Sequence, residues 1–152
     1  MEEDRYPLRF ADNCPIIGQT KGPCCAFLLH NPVCMSTLIL GATPNPNRYA
    51  YLAAQRLTQH GHKIVPVGIK HGEVFGVPIQ QGRPQVKNVD TVVLYVGPKH
   101  QPAYYDYLLE LKPRRIIFNP GTENPELMRL ARTHDIEPIL GCTLVMLASG
   151  TY

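Results

Sequence analysis

The sequence predicts an α/β fold: a doubly wound, mostly parallel sheet with helices on both faces, in three layers α/β/α. Three observations carry that expectation. Five short apolar runs, rich in β-branched residues, recur from position 36 onward; continuous runs of this kind suit strands buried on both faces, as in a parallel sheet. Stretches with apolar residues at helical spacing lie between them, and strands alternating with helices in units of about 25 residues make right-handed crossovers. Finally, 152 residues with 44% apolar and 18% charged side chains are enough for one domain with its own core, and they exclude wholesale disorder.

Taken in order, the strands are STLILG (36–41), KIVPVG (63–68), TVVLYVG (91–97), RIIFNPG (115–121) and EPILGC (137–142). The first helix is marked by Ala50, Ala53, Ala54 and Leu57 at i, i+3, i+4, i+7, with Gly61 as its stop. Tyr104, Tyr107, Leu108 and Leu111 repeat the spacing up to Pro113. Leu127, Leu130, Ala131 and His134 do so again after Asn124-Pro125, an N-cap and N1 pair. His134, on that stripe, is expected to pack partly buried. The stretch 72–82, GEVFGVPIQQG, has no helical period and reads as a short edge strand with loops.

Residues 1–34 do not conform. They hold four of the five cysteines (Cys14, Cys24, Cys25, Cys34) and show neither period 2 nor period 3.6. No pair has the two-to-four-residue spacing of a zinc knuckle, and Met1-Glu2-Glu3-Asp4 does not open a secretory signal. Met35 stands directly before the first strand, as an initiator would. The domain reading is therefore a non-conforming arm, disordered or from an over-long reading frame, at 1–34, and a single domain at 35–152. The competing reading is a regulatory arm with reactive thiols. No apolar run approaches the roughly 20 residues that span a bilayer, and a net charge of +3 does not argue for nucleic acid.

Ligands of open parallel sheets sit beyond the carboxyl ends of the strands, near the switch in strand order. The first strand runs into GATPNPNRYAY (41–51). Gly41 permits a tight turn with close backbone approach, and Thr43 and Asn45 can donate to oxygen atoms. Asn47 is the expected N-cap, so the next helix aims its free N–H groups and positive end at this loop. Arg48 in that first turn opposes the helix dipole, at a cost of about 0.3–1 kcal/mol; a bound phosphate or diphosphate removes the conflict. The nucleotide is a second question. A dinucleotide fingerprint wants G-x-G-x-x-G and an acid about 20 residues on. Here Gly41 is followed by Ala42, Pro44 and Pro46, and the second strand by Ile69-Lys70-His71. That argues against NAD and for a ligand with an extra ribose phosphate, which describes NADP and coenzyme A equally.

The loop 41–51, the segment GHKIVPVGIKHGEVFGVPI (61–79), the turn YVGPKH (95–100) and IIFNPGTENPEL (116–127) together resemble the small CoA-binding domain family, similar to the amino-terminal domain of the succinyl-CoA synthetase alpha subunit. The likeness covers about residues 36–152. It implies a Rossmann-like domain that binds coenzyme A, or an acyl-CoA, along the strand ends. By that likeness Gly41, Ala42, Thr43, Asn45 and Arg48 hold the phosphates; Pro66, Val67, Gly68 and Lys70 flank the adenosine part; Val96, Gly97, Pro98, Asn119, Pro120 and Gly121 line the pantetheine end.

The sequence offers no catalytic constellation and no metal triad. His60 and His62 read as surface residues, Cys142 as a packed thiol, and Glu123 faces no identifiable base. His100 alone among the histidines stands near the expected ligand. The resulting expectation is a stand-alone, non-catalytic, cytoplasmic CoA-binding protein. Its partner is a small-molecule nucleotide rather than nucleic acid or membrane, with a protein partner or homo-oligomer left open. The alternatives are a small NADP-binding oxidoreductase or a redox regulator using the amino-terminal thiols.

Overall fold

A computed structural model describes residues 35–152. Its main sheet has five parallel strands: β1 (Ser36–Leu40), β2 (Lys63–Val67), β5 (Val89–Leu94), β6 (Arg115–Phe118) and β7 (Glu137–Leu140). They lie in the order β2-β1-β5-β6-β7. The chain starts in the middle, moves one way to β2, then returns past β1 to the other side. The order therefore switches between β1 and β5, where a doubly wound sheet opens its crevice. One face packs Leu38, Leu40, Val92, Leu94, Ile116 and Phe118 against Leu108, Leu127 and Ala131, from helices α2 (Tyr105–Glu110) and α3 (Pro125–Thr133). The other packs Ile39, Ile64, Val93 and Ile117 against Ala54, Leu57 and Leu147, from α1 (Tyr49–Gln59) and α4 (Thr143–Ser149). The expected three layers are present. The expectations for residues 1–34 lie outside the described residues.

Several elements differ from expectation, each for a local reason. Stretch 72–82 is not one edge strand but a minimal hairpin, β3 (Glu73–Val74) with β4 (Val77–Pro78), turning through Phe75 and Gly76 at positive φ. Gln80 then forms a parallel bridge to Val67, and Gln80 N–H donates to Pro66 O at 2.9 Å. The hairpin thus covers the free edge of β2, a hazard that sheets commonly cover in this way. The third run, expected at 91–97, is β5, which starts at Val89 and ends at Leu94, so Tyr95–Gly97 belong to the loop beyond it. Only 105–110 of the expected helix around Tyr104–Leu111 is α-helical; Pro98 and Pro102 hold 98–104 in a 3-10 turn. His134 is exposed at the end of α3 rather than packed, since the chain turns away there. α4 was not foreseen: seven residues without a capping side chain leave too short a period to read. Among the described residues, no helix is long and apolar enough to cross a membrane.

Candidate functional site

A cleft of about 790 Å³ opens beyond the carboxyl ends of the strands, straddling the switch point between β1 and β5. Of the residues expected there, Gly41, Ala42, Thr43, Arg48, Gly68, Lys70, Val96, Gly97, Pro120 and Gly121 line it. Asn45, Pro66, Val67, Pro98 and Asn119 do not. Sequence reasoning missed Ile69, Lys99 and Tyr104, and weighed Tyr49, as cover for a base or a packing residue, and His100 without including either; all five line the cleft. Their one legible signal was position, immediately beyond a strand or at the start of the next helix.

The β1–β2 half is built by backbone. Gly41 sits at φ +99°, and a Cβ there would come within 2.9 Å of the Tyr95 carbonyl carbon. Gly68 is more confined, because a Cβ would run into the carbonyl oxygen of Ala42. Gly41 and Ala42 both donate their N–H to Val67 O, at 2.8 and 2.9 Å, so the two strand ends are locked together. The Asn-Pro-Asn run folds on itself: Asn45 N–H donates to Thr43 Oγ1 at 3.3 Å and Asn47 N–H to Asn45 Oδ1 at 3.0 Å. Contrary to expectation, Asn47 does not cap α1: it is held in the turn, and the helix starts at Tyr49 with Arg48 as the N-cap residue. It is extended and makes no side-chain cap bond. With no acid in its first turn, α1 presents uncapped amides and an arginine on the cleft.

The β5–β6 half is built by buried side-chain amides instead. Gln101 is fully buried on the 3-10 turn and donates through Nε2 to Val96 O (2.9 Å) and Thr122 O (2.7 Å), two carbonyls on either side of the cleft floor. Its Oε1 accepts from Asn124 Nδ2 at 2.9 Å. Asn124 Oδ1 in turn caps α3, accepting from the N–H of Glu126 and Leu127. Asn119, buried in the same frame, donates to Leu94 O (3.0 Å) and accepts from Thr143 N–H (2.8 Å). Its amide ties β5, β6 and α4 together beneath the cleft. Glycines here face open space: a Cβ at Gly97 or Gly121 would meet nothing within 4 Å.

The electrostatics of the cleft are one-sided. Arg48, Lys70, Lys99 and His100 line it, and among the described residues no carboxylate does. Glu123 is turned onto its own loop, accepting from Gly121 N–H at 2.8 Å. Tyr49 and Ile69 are apolar and 72% and 80% exposed, at the mouth. Tyr95, on the same wall, buries its hydroxyl without a hydrogen-bond partner of good geometry, and that burial raises its pKa far above the ordinary phenol value. At the opposite end of the sheet, Arg115 is buried, donating to Thr91 Oγ1 at 2.9 Å under the ring of Tyr152. His62 packs edge-on against that ring, so it is no free surface residue; burial, then His60 and Arg115, lower its pKa. His60 is exposed, and among the described residues no cluster of His, Cys, Asp and Glu could hold a metal.

A family model described as CoA binding domain matches residues 35–148. A solved structure described only as an uncharacterized protein is 58% identical, with a TM-score of 0.76, covering 78% of this chain and 98% of that one. A structure from Thermus thermophilus is 19% identical, with a TM-score of 0.70 over 78% of this chain and 91% of that one. A dinucleotide-forming acetyl-coenzyme A synthetase from Ca. Korarchaeum cryptofilum, in complex with phosphate and ADP, is 19% identical at a TM-score of 0.57; the match spans 71% of this chain and 26% of that one. The last two share the fold. No curated protein sequence gives a match.

Proposed function

The chain belongs to the CoA binding domain family, and from that premise we propose that its switch-point cleft holds coenzyme A or an acyl-CoA. The observation that carries the reading is the charge of the lining: Arg48, Lys70 and Lys99, with no carboxylate among the described residues, in a crevice at the strand ends. Coenzyme A is a polyanion with a diphosphate and a 3′-phosphate, and both need cations or unsatisfied N–H donors. Arg48 and the uncapped start of α1 suit the diphosphate. Lys70, beyond β2, suits the 3′-phosphate, with Ile69 and Tyr49 against the adenine face. Val96, Gly97, Pro120 and Gly121 leave room for the uncharged pantetheine arm. Asn119 supports that wall from behind.

The protein acts in this reading as a stand-alone binding module without chemistry of its own. His100 is the one imidazole in the lining, and among the described residues no carboxylate lines the cleft beside it, so no acid–base pair faces the ligand. A free Cys142 suits a reducing, cytoplasmic setting. An NADP-binding oxidoreductase would use the same cations. However, the loop after β1 has no second glycine to clear a dinucleotide diphosphate.

Calorimetric titration of the purified protein with coenzyme A, dephospho-coenzyme A and NADP tests the proposal. Saturable binding of coenzyme A is expected, with weaker dephospho-coenzyme A and little NADP binding at the same concentrations. Tight NADP binding with no coenzyme A heat would overturn it and leave the fold intact.

A further inference from the structure

A diphosphate diester carries a full negative charge on each phosphorus, and the loop after β1 meets the pair with a single cation. Arg48 stands there, at the uncapped start of α1, while Lys70 faces the 3′-phosphate in the arrangement above. The third strong cation of the lining, Lys99, has no partner in that arrangement. It follows β5, the neighbour of β1 in the sheet, and neighbouring strands lie about 4.8 Å apart.

The loops after β1 and β5 are also in contact. Tyr95 N–H donates to Leu40 O at 2.8 Å. A Cβ on Gly41 would stand 2.9 Å from the Tyr95 carbonyl carbon and 3.0 Å from Val96 Cγ2. The segment that carries Lys99 therefore begins against the turn assigned to the diphosphate. Three residues beyond Val96, Lys99 sits near the start of the 3-10 turn Pro98–Tyr104. Gln101 pins that turn, donating through Nε2 to Val96 O and Thr122 O. The backbone under Lys99 is thus braced, and its exposed four-carbon stem carries a compact charge with three donors. Among the described residues Lys99 makes no ion pair; the salt bridge joins Arg114 to Asp90, at the other end of the sheet.

The direction of the ligand makes its two phosphates unequal. With adenosine beyond β2 and the pantetheine arm leaving past β5 toward β6, the β5 turn flanks the diphosphate on its pantetheine side. Arg48 and α1 belong to β1 and flank it on the adenosine side. The two phosphorus atoms share one bridging oxygen, so cations on adjacent loops suit them better than two cations on one loop.

We infer that Lys99 is a second diphosphate-binding residue, holding the phosphate on the pantetheine side while Arg48 and the start of α1 hold the one on the adenosine side. The inference rests on the coenzyme A reading of the cleft and divides the diphosphate between two loops.

The test titrates coenzyme A, dephospho-coenzyme A, adenosine 3′,5′-bisphosphate and 4′-phosphopantetheine into the full chain and into Lys99→Gln and Arg48→Gln variants. Lys99→Gln is expected to weaken coenzyme A and dephospho-coenzyme A by the same factor, roughly fivefold, the scale of one partly screened charge pair. It should weaken 4′-phosphopantetheine as well and leave adenosine 3′,5′-bisphosphate nearly unchanged. Arg48→Gln should show the reverse preference between the two fragments. The loss in Lys99→Gln is expected to fade as salt rises. Unchanged coenzyme A affinity in Lys99→Gln overturns the inference while the coenzyme A reading stands. A loss that persists at high salt also overturns it, since Lys99 would then touch the uncharged arm. So does an equal loss for adenosine 3′,5′-bisphosphate, which would move Lys99 to the adenosine side. Where 4′-phosphopantetheine binds too weakly to read, the contrast between coenzyme A and adenosine 3′,5′-bisphosphate decides. If the parent protein binds no coenzyme A at all, the underlying reading falls and the inference with it.

Discussion

The two halves of the cleft solve the same problem, holding strand-end loops open to a ligand, with opposite materials. On the β1–β2 side the loops touch each other. Gly68 presses on the Ala42 carbonyl and Gly41 on the backbone of Tyr95, so the wall is made of peptide groups and cannot hold a side chain. On the β5–β6 side the loops stand apart, and a buried amide frame spans the gap: Gln101 bridges Val96 O and Thr122 O, and Asn119 joins Leu94 O to Thr143 N–H. Backbone contact gives close approach to a diphosphate and little variability. An amide frame gives a fixed but roomy floor, whose lining can change without moving the scaffold. The lesson concerns glycine as much as ligands: the residue is forced in one half and tolerated in the other.

The same substitution made in each half separates them most sharply. Gly68→Ala drives a methyl group into a backbone oxygen, and no side chain can swing away to relieve it. Destabilisation at or beyond the roughly 3 kcal/mol upper end of ordinary overpacking is expected, read as a fall in the urea midpoint. Gly97→Ala meets no atom within 4 Å and keeps φ −63° and ψ 155°, a conformation open to any residue. It is expected to be neutral or to stabilise the ligand-free protein by up to about 1 kcal/mol through the unfolded chain. Similar losses for both variants would erase the distinction.

Next in size is the frame itself. Gln101→Leu keeps much of the buried volume but removes two donated bonds and one accepted one, leaving two carbonyls and part of the Asn124 amide short of partners. A loss of about 2–3 kcal/mol is expected. Ligand affinity should fall as well, because the Val96 and Thr122 walls lose their tie. A stability change below about 0.5 kcal/mol would mean that the amides fill space without bracing it.

How much of each half was legible in the sequence follows from how it is built. Periodicity and β-branched runs carry the sheet and the faces of α1 and α3, because burial on both sides writes itself into composition. The β1–β2 half was legible too, since a glycine before a turn and an arginine at a helix start have local causes. What failed was cross-strand. Asn119 looked like a ligand contact from its place beyond β6, but its amide is consumed by Leu94 O and Thr143 N–H, partners about 25 residues away on either side. Gln101 gave no signal, because a glutamine in a proline-rich loop looks solvated until the two carbonyls around it are known. The misread cap at Asn47 has a local cause: an Asx turn from Asn47 N–H to Asn45 Oδ1 holds Asn47 in the loop, and α1 starts at Tyr49, so Arg48 stands at the cap position.

Arg48 tests the electrostatic side of the β1–β2 half. It is the N-cap residue of a helix with no acid in its first turn, so it opposes the dipole without a ligand and pairs with an anion when one is present. Arg48→Ala is expected to weaken coenzyme A binding by about 1.5–3 kcal/mol, the scale of a charge-assisted hydrogen bond. The same change should stabilise the ligand-free protein by about 0.3–1 kcal/mol. The opposed signs matter, since a generally damaged protein would lose both. Equal affinity in variant and parent would remove the diphosphate from α1.

The smallest effect belongs to Lys70, and it fixes which way round the ligand lies. The side chain is exposed beyond β2, where a charge pair with a phosphate is screened by water and worth only about 1 kcal/mol. Dephospho-coenzyme A, which lacks the 3′-phosphate, is therefore expected to bind several-fold more weakly than coenzyme A. The gap should close as ionic strength passes the range where the screening length drops below about 8 Å. Lys70→Glu reverses the local field, so coenzyme A should suffer more than dephospho-coenzyme A and their order of affinity should narrow or invert. Lys99→Glu, in the other half, supplies the control. It stands beyond β5, about 10 Å from Lys70 by strand spacing, and should leave the ratio of coenzyme A to dephospho-coenzyme A close to the parent value. If Lys99→Glu rather than Lys70→Glu collapsed that ratio, the 3′-phosphate would sit at the β5–β6 end. The ligand would then run in the opposite direction across the switch point, with its thiol beside β2.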